Sequence, residues 1–567
     1  MAAEAGATIL RRGGNAIDAA IAVMFALNVL EPQSAGIGGG GFMMVHRATG
    51  PKKTFVIDSR ETAPAASTVN MFQGQNFGLA STSGLSVGVP GAVRGAELAL
   101  NNWGTMSLAQ VLQPAIQLAA GGFRVSSRLE ESITSTRLSS ELGNPAYDEA
   151  RKVFRPGGVA LVEGDFLVQP ALAATLQLIA DHGADAFYTG PLAETIVATQ
   201  QNYRGANSQL AGRMSLADLS NYEAAVREPV VGDYRGYRIV GMPPPSSGGL
   251  AVIQMLKMME RFPLGDESKG YGFGSARTMN VMIESMRLAF ADRAVWMGDA
   301  DFVDVPVKGL LSDAYIAQRS ALIDPDTRQA NVMADDPWPF ELAGKKSPWQ
   351  LAAVNRADPP GGGTTHFSVS DANGNIVSYT NTIESAWGTG LMVPGYGFLL
   401  NNELTDFNFT PQANPDPANY DPGANDVAPF KRPRSSMAPT MIFKNSQQPL
   451  AAYGSPGGST IINTVLNVTL NLIDHGRTIQ EAIDLPRLSQ TSANGTPSFE
   501  YGFPEASVQA LRDIGHNPGA TFDLGSVQAV VIGTGKSQYG AADKRRIGGV
   551  VSVSPDEIIK DGPGRKR

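Results

Sequence analysis

Gly363-Thr364-Thr365-His366-Phe367-Ser368-Val369-Ser370, followed by Asp371-Ala372-Asn373-Gly374-Asn375 and by Ile376-Val377-Ser378-Tyr379-Thr380-Asn381-Thr382, is the stretch on which the fold turns. Both flanks alternate with period two, the signature of strands whose two faces differ. The Asn373-Gly374 dipeptide between them favours a two-residue hairpin turn. On that turn Ala372 faces Asn375 and Thr364 lies opposite Ile383, with Thr382 and Glu384 beside the start of the first strand. A one-residue slip would exchange the faces, so the neighbourhood is better defined than the pairing. Immediately upstream stands Pro359-Pro360-Gly361-Gly362-Gly363, the end of an Asp/Pro/Ala-rich segment over 324–363 that reads as a mobile connector.

A glycine run that delivers a threonine beside hydroxyl and carboxylate groups suggests a nucleophile. A threonine hydroxyl is weak unless a base takes its proton. A threonine at a new chain terminus can use its own α-amine, with an ordinary pKa of about 7.7–8.0. That requires a break between Gly363 and Thr364, and three glycines leave the scissile carbonyl unshielded. The same pattern also suits a glycine-rich loop entering an ordinary strand, with Thr chosen for its β propensity.

Outward from this junction, the composition narrows the classes. Of 567 residues, 43% are hydrophobic and 17% charged, which supplies a large core and excludes disorder for most of the chain. A formal charge of −8 argues against nucleic acid or an anionic membrane as partner. No cysteine is present, which removes disulfides, thiolate metal sites and a Cys nucleophile. His46, His182, His366, His475 and His516 show no metal-ligand spacing, so neither a metal nor another cofactor is expected.

The apolar run 19–30, preceded by Arg11 and Arg12, has the look of a signal-peptide core. Asp18 at its edge and Glu31-Pro32 after it oppose that, and the run is too short to span a bilayer. A buried helix over 16–30 is expected, with no signal peptide in this chain. Further helices are expected over 2–12, 108–120 (Ser107 as N-cap), 170–182, 250–261, 279–296, 310–322 and 460–473. Strands are expected over 42–46, 54–58, 237–241 and 450–453. Gly454-Ser455-Pro456-Gly457-Gly458-Ser459 joins the last strand to its helix. Backbone N–H groups at such a turn suit an oxyanion, and the absent lysine argues against a nucleotide phosphate. Gly38 to Gly41 reads as a close-packed turn.

Several of these segments recur together. Gly13 to Ala20, Gly36 to Phe42, Met242-Pro243-Pro244-Pro245-Ser246-Ser247-Gly248-Gly249, Gly363 to Val369, Gly388-Thr389-Gly390, Leu400-Asn401-Asn402, Lys431-Arg432-Pro433-Arg434-Ser435-Ser436-Met437 and Gly454 to Ser459 occur in the order of one family. The chain resembles a γ-glutamyltranspeptidase of the N-terminal nucleophile hydrolase superfamily, over nearly its whole length.

The resemblance implies an α+β, four-layer αββα sandwich. It implies autocleavage into a large subunit (1–363) and a small subunit (364–567), which pair as a heterodimer. Thr364 would be the nucleophile, Thr382 its hydrogen-bonding neighbour, and Gly457 and Gly458 the oxyanion hole. Arg60, Ser435 and Ser436 would hold the substrate α-carboxylate, and Glu403 and Asp406 its α-ammonium. A zwitterionic γ-glutamyl head presents one anion and one cation, and a guanidinium fork suits the anion. Glu384 departs from the family's usual Asn at the α-amino contact, and either strengthens ammonium binding or selects another acyl group. The segment 407–430 keeps room for a lid, with Tyr420 as a cover residue, or is a surface Pro/Asn loop. The implied activity is transfer and hydrolysis of γ-glutamyl groups from glutathione and similar donors, with water, an amino acid or a dipeptide as acceptor. A periplasmic or extracellular location follows from the resemblance alone. The rivals are a cephalosporin (glutaryl) acylase of the same fold and an uncleaved, non-catalytic binder.

Overall fold

The computed structural model describes residues 1–51, 53–135, 145–203, 210–341, 363–411, 423–445, 448–519, 521–533 and 537–559. The alternation inside Gly40–His46 sets its layering. Met43 and Val45 join one core with Ile57, Val377 and Tyr379, under the helix Ala16–Leu30. Phe42 and Met44 point the other way, into a second core with Val56 and Ile376. Successive strand residues face opposite sides, so one heptapeptide serves two cores.

These strands form a five-stranded antiparallel sheet in the order Ala225–Arg227, Thr54–Asp58, Gly40–His46, Ile376–Thr382, Thr364–Ser370. Against it packs a six-stranded antiparallel sheet, ordered Gln538–Ala542, Gln528–Ile532, Gln448–Gly454, Thr440–Lys444, Tyr237–Gly241, Val230–Tyr234. The two meet where the His46 and Phe443 rings lie edge to face at 5.0 Å and where the Ser378 hydroxyl donates to the Tyr453 carbonyl at 3.2 Å. Helices Gly248–Met259 and Thr460–Ile473 cover the outer face of the second sheet. The result is the four-layer αββα sandwich. In each sheet a block of strands from before residue 364 pairs edge to edge with a block from 364 onward, so the two halves share their cores.

Helix Ala16–Leu30 is buried along almost its whole length, as its apolar run requires. Its one buried carboxylate, Asp18, accepts from Asn15 N, Thr105 N, Thr105 Oγ1 and Met106 N. A buried charge needs such partners. Among the described residues no helix is long and apolar enough to cross a membrane.

The hairpin differs from the two-residue reading by one residue. Thr364 pairs with Thr382 and Ser370 with Ile376, leaving Ala372, Asn373 and Gly374 as a three-residue loop. The cause is Asp371. Its carboxylate accepts from Asn373 N, Asn375 N and Asn375 Nδ2 at 2.7–3.0 Å, and Gly374 takes the left-handed conformation at φ 89°. That is the three-residue alternative to an Asn-Gly turn.

Other boundaries shift where caps outrank periodicity. The helix placed at 310–322 is two, Val307–Leu311 and Asp313–Ala321, divided at Ser312, whose hydroxyl caps Tyr315 N. Ser275 starts the helix expected over 279–296 early, giving Ala276–Trp296. The connector expectation fails over its first half. Val332 and Trp338 are buried, and the Asn494 side chain clasps Val332 through both its N–H and its carbonyl. Residues 342–362 of that connector, and 412–422 of the lid expectation with Tyr420, lie outside the described residues.

Candidate active site

The hairpin register places two hydroxyls face to face. Thr364 and Thr382 are both buried, with their Oγ1 atoms 3.1 Å apart. Thr382 Oγ1 also donates to the Gly363 carbonyl at 2.7 Å and accepts from Glu384 N at 2.8 Å. Its single proton is thus committed to Gly363, and the Thr364 hydroxyl donates to it. Gly363 is enclosed: a Cβ there would sit 2.4 Å from the Ser385 carbonyl oxygen. On the free edge of the strand, Arg546 Nη1 donates to the Thr364 carbonyl at 3.0 Å.

Opposite lies the turn from Gln448–Gly454 into Thr460–Ile473. Gly457 and Gly458 take φ values of 138° and 58°, open to glycine at little cost. Their carbonyls accept from Thr460 N and Ile461 N. Their own N–H groups donate to no acceptor among the described residues. Gly458, Ser459 and Ile461 line the same cavity as Thr364 and Thr382. Backbone donors at a helix start, unspent and facing a hydroxyl, can stabilise a developing oxyanion.

The cavity's far wall is charged. Arg60, 1% exposed, spends its whole fork on the protein. Nε donates to the Pro433 carbonyl and Nη2 to the Arg434 carbonyl, both at 3.2 Å. Nη1 pairs with Glu403, and Nη2 with Asp406. Glu403 Oε2 and both oxygens of neighbouring Glu61 are buried without partners. Burial raises the carboxyls of Glu403 and Glu61, the latter to about 8, although Arg60 pulls both down. Glu384 stands at φ 76°, its carboxylate held by Ser385 Oγ and Asn402 Nδ2. Three arginines (Arg60, Arg293, Arg434) and three carboxyls (Glu384, Glu403, Asp406) line the cavity, so it offers charged partners to both an anion and a cation.

Of the residues singled out from the sequence, Thr364, Thr382, Gly458, Arg60, Glu384, Glu403, Asp406, Ser435 and Ser436 line this one cavity, and Gly457 adjoins it. Sequence reasoning missed Arg293, Arg434, Met437, Ser459 and Ile461. Arg434, Met437 and Ser459 stand inside quoted motifs and were legible there. Arg293 sits within the buried helix Ala276–Trp296, where the pattern gives no sign of a polar role. His366 is no general base. Its ring bonds Thr380 Oγ1 and Ser368 Oγ, and burial drives its pKa down to about 3. Among the described residues, no cluster of His, Asp and Glu could hold a metal ion.

The model of the family described as Gamma-glutamyltranspeptidase matches residues 2–553. The glutathione hydrolase proenzyme of Bacillus subtilis (strain 168) is 43% identical over 561 residues, covering 98% of this chain and 90% of its own. The acylase ACY 1 proenzyme of Pseudomonas sp. (strain SE83) is 38% identical, covering 98% of this chain and 92% of its own. Among solved structures, the cephalosporin acylase from Bacillus halodurans superposes with a TM-score of 0.81 at 28% identity, covering 96% of this chain and 92% of its own.

Proposed function

The chain belongs to the gamma-glutamyltranspeptidase family, and we propose that it is a self-processing enzyme that transfers and hydrolyses γ-glutamyl groups of glutathione and related donors. The observation that carries this is the triple contact of Thr364, Thr382 and the Gly363 carbonyl, in one cavity with Gly458, whose N–H, like that of adjoining Gly457, is uncommitted among the described residues.

In the uncut chain, Thr364 Oγ1 attacks the Gly363 carbonyl carbon. The Thr382 hydroxyl stabilises the oxygen that becomes negative. The C–N bond breaks, the hydroxyl proton passes to the Thr364 nitrogen, and water hydrolyses the resulting ester. Residues 1–363 and 364–567 then remain together through their shared sheets as large and small subunits.

The freed α-amine of Thr364 serves as base for its own hydroxyl. Oγ1 attacks the donor's γ-carbonyl, Gly457 and Gly458 stabilise the oxyanion, and the leaving amine takes the proton. Water or an amino acid or dipeptide amine then resolves the ester, giving ping-pong kinetics. An α-amino-α-carboxylate head fits the far wall. Its ammonium exchanges with Arg60 for Glu403 and Asp406, Glu384 adds a further acceptor, and its carboxylate meets Arg60, Ser435 and Ser436.

The acylase relatives keep a second reading open, a glutaryl donor without the α-amine. The carboxyls of Glu384, Glu403 and Asp406, which a head without an amine would leave unused, favour the aminated one. Intact mass of the incubated protein beside a Thr364→Ala control tests the processing step. Rates on γ-glutamyl and glutaryl p-nitroanilide then test the donor. A wild type that stays whole overturns the reading, and preference for the glutaryl anilide transfers it to the acylases.

A further inference from the structure

The motif Met242 to Gly249 takes no part in the steps above, yet its serines reach the pocket wall. Ser247 Oγ and Ser247 N both donate to the Ser435 carbonyl, at 2.7 and 2.9 Å. Ser246 Oγ donates to the Met437 carbonyl at 2.6 Å, and Ser435 N returns a bond to the Pro245 carbonyl at 3.1 Å. The two segments lie side by side as a parallel bridge at Ser246 and Ser435. Arg293 ties this pair to its helix: Nε donates to Ser247 Oγ at 2.7 Å and Nη2 to Ser436 Oγ at 2.8 Å.

The direction of these bonds matters more than their number. Ser435 Oγ accepts from Met437 N at 3.0 Å, and Ser436 Oγ accepts from the Arg293 guanidinium. Neither donor can accept in return, because an amide N–H and a guanidinium have no lone pair to offer. Each serine oxygen is therefore an acceptor on its protein side, with its own proton turned elsewhere. No described residue takes either proton, and both side chains line the cavity. Two hydroxyls poised as donors form an anion site.

Building on the γ-glutamyl reading above, we propose that Arg293 is a positioning residue for donor binding. By donating to Ser436 Oγ and, through Ser247, bracing the Ser435 carbonyl, it polarises the serine pair as donors to the substrate α-carboxylate. Without the guanidinium, Ser436 is free to turn its proton back toward protein acceptors, and the site loses its preset polarity. The arrangement also links residues on opposite sides of the Gly363–Thr364 junction.

The test is a double-mutant cycle on the processed protein with γ-glutamyl p-nitroanilide. Arg293→Ala and Ser436→Ala should each lower kcat/KM about tenfold, the loss of one bond to a charged partner, through KM rather than kcat. The double variant should lose no more than either single one, since both remove the same contact. Arg293→Lys, which keeps the charge but places one nitrogen where the guanidinium reaches Ser247 and Ser436 with two, should fall between. Additive losses overturn the proposal, because Arg293 would then act on the substrate by itself. So does a loss confined to kcat, or no loss. If Arg293→Ala fails to fold or stays uncut, Arg293→Lys replaces it in the same cycle, with a smaller loss that again adds nothing to that of Ser436→Ala. A wild type inactive on this donor yet cut at Gly363 overturns the γ-glutamyl reading, and the proposal with it. A cut, active wild type with an additive cycle overturns only the role of Arg293.

Discussion

Thr382 is the register partner of Thr364 across the hairpin, and its hydroxyl touches both the Thr364 Oγ1 atom and the Gly363 carbonyl. One side chain thus contacts the attacking atom and the oxygen of the bond to be cut. Thr382→Ala removes both contacts, and cleavage of the uncut chain should slow by about 10²-fold, the cost of one oxyanion donor. Thr382→Ser keeps the hydroxyl and should cleave at near the wild-type rate. A time course of intact mass reads both. Equal rates for Thr382→Ala and wild type would remove Thr382 from the step.

Gly457 stands at φ 138°, and a Cβ there would lie 2.7 Å from Thr460 Oγ1. Gly457→Ala should therefore twist the turn and misaim its N–H groups. Turnover should fall by roughly 10²-fold through kcat, while far-ultraviolet circular dichroism stays unchanged. An active Gly457→Ala enzyme would show that these N–H groups do not serve the oxyanion.

Arg60 is the buried cation for Glu403 and Asp406. Arg60→Met leaves the Glu403 carboxylate buried and without its cation, and should cost about 3–5 kcal/mol in urea unfolding. Adding Glu403→Met should restore most of that stability while leaving γ-glutamyl donor binding lost. Recovery of both, or of neither, would contradict the pairing as described.

Glu61 sets a pH dependence. Burial raises its carboxyl from 4.5 to about 8. Below about pH 4.5 the folded and unfolded chains both hold the proton. Between there and about pH 8 the folded chain keeps it while the unfolded chain releases it, so stability falls as pH rises. Glu61→Gln should flatten this component. Thermal unfolding at pH 5 and pH 8 should show a smaller decrease in Tm for the variant than for wild type. Identical decreases would refute the assignment.

Much of the site was legible because its residues sit in short motifs with local rules. The Thr364 strand, the glycine turn at 454–459 and the buried helix Ala16–Leu30 follow from period, turn residues and an apolar run within a few positions. These are near-neighbour effects, and near neighbours are what a linear pattern records. The hairpin register was not legible. A carboxylate three residues before Gly374 outweighed the Asn-Gly preference, and the shift brought Thr382, rather than Ile383, opposite Thr364. Nor could periodicity anticipate that Arg60 spends its fork on Glu403 and Asp406, more than 340 positions away, or that Arg293 reaches Ser436 from a helix otherwise packed in the core. Those partners are chosen by the closing of two sheets on each other. Burial there forces each charged or polar group to find whichever counterpart the packing brings within reach.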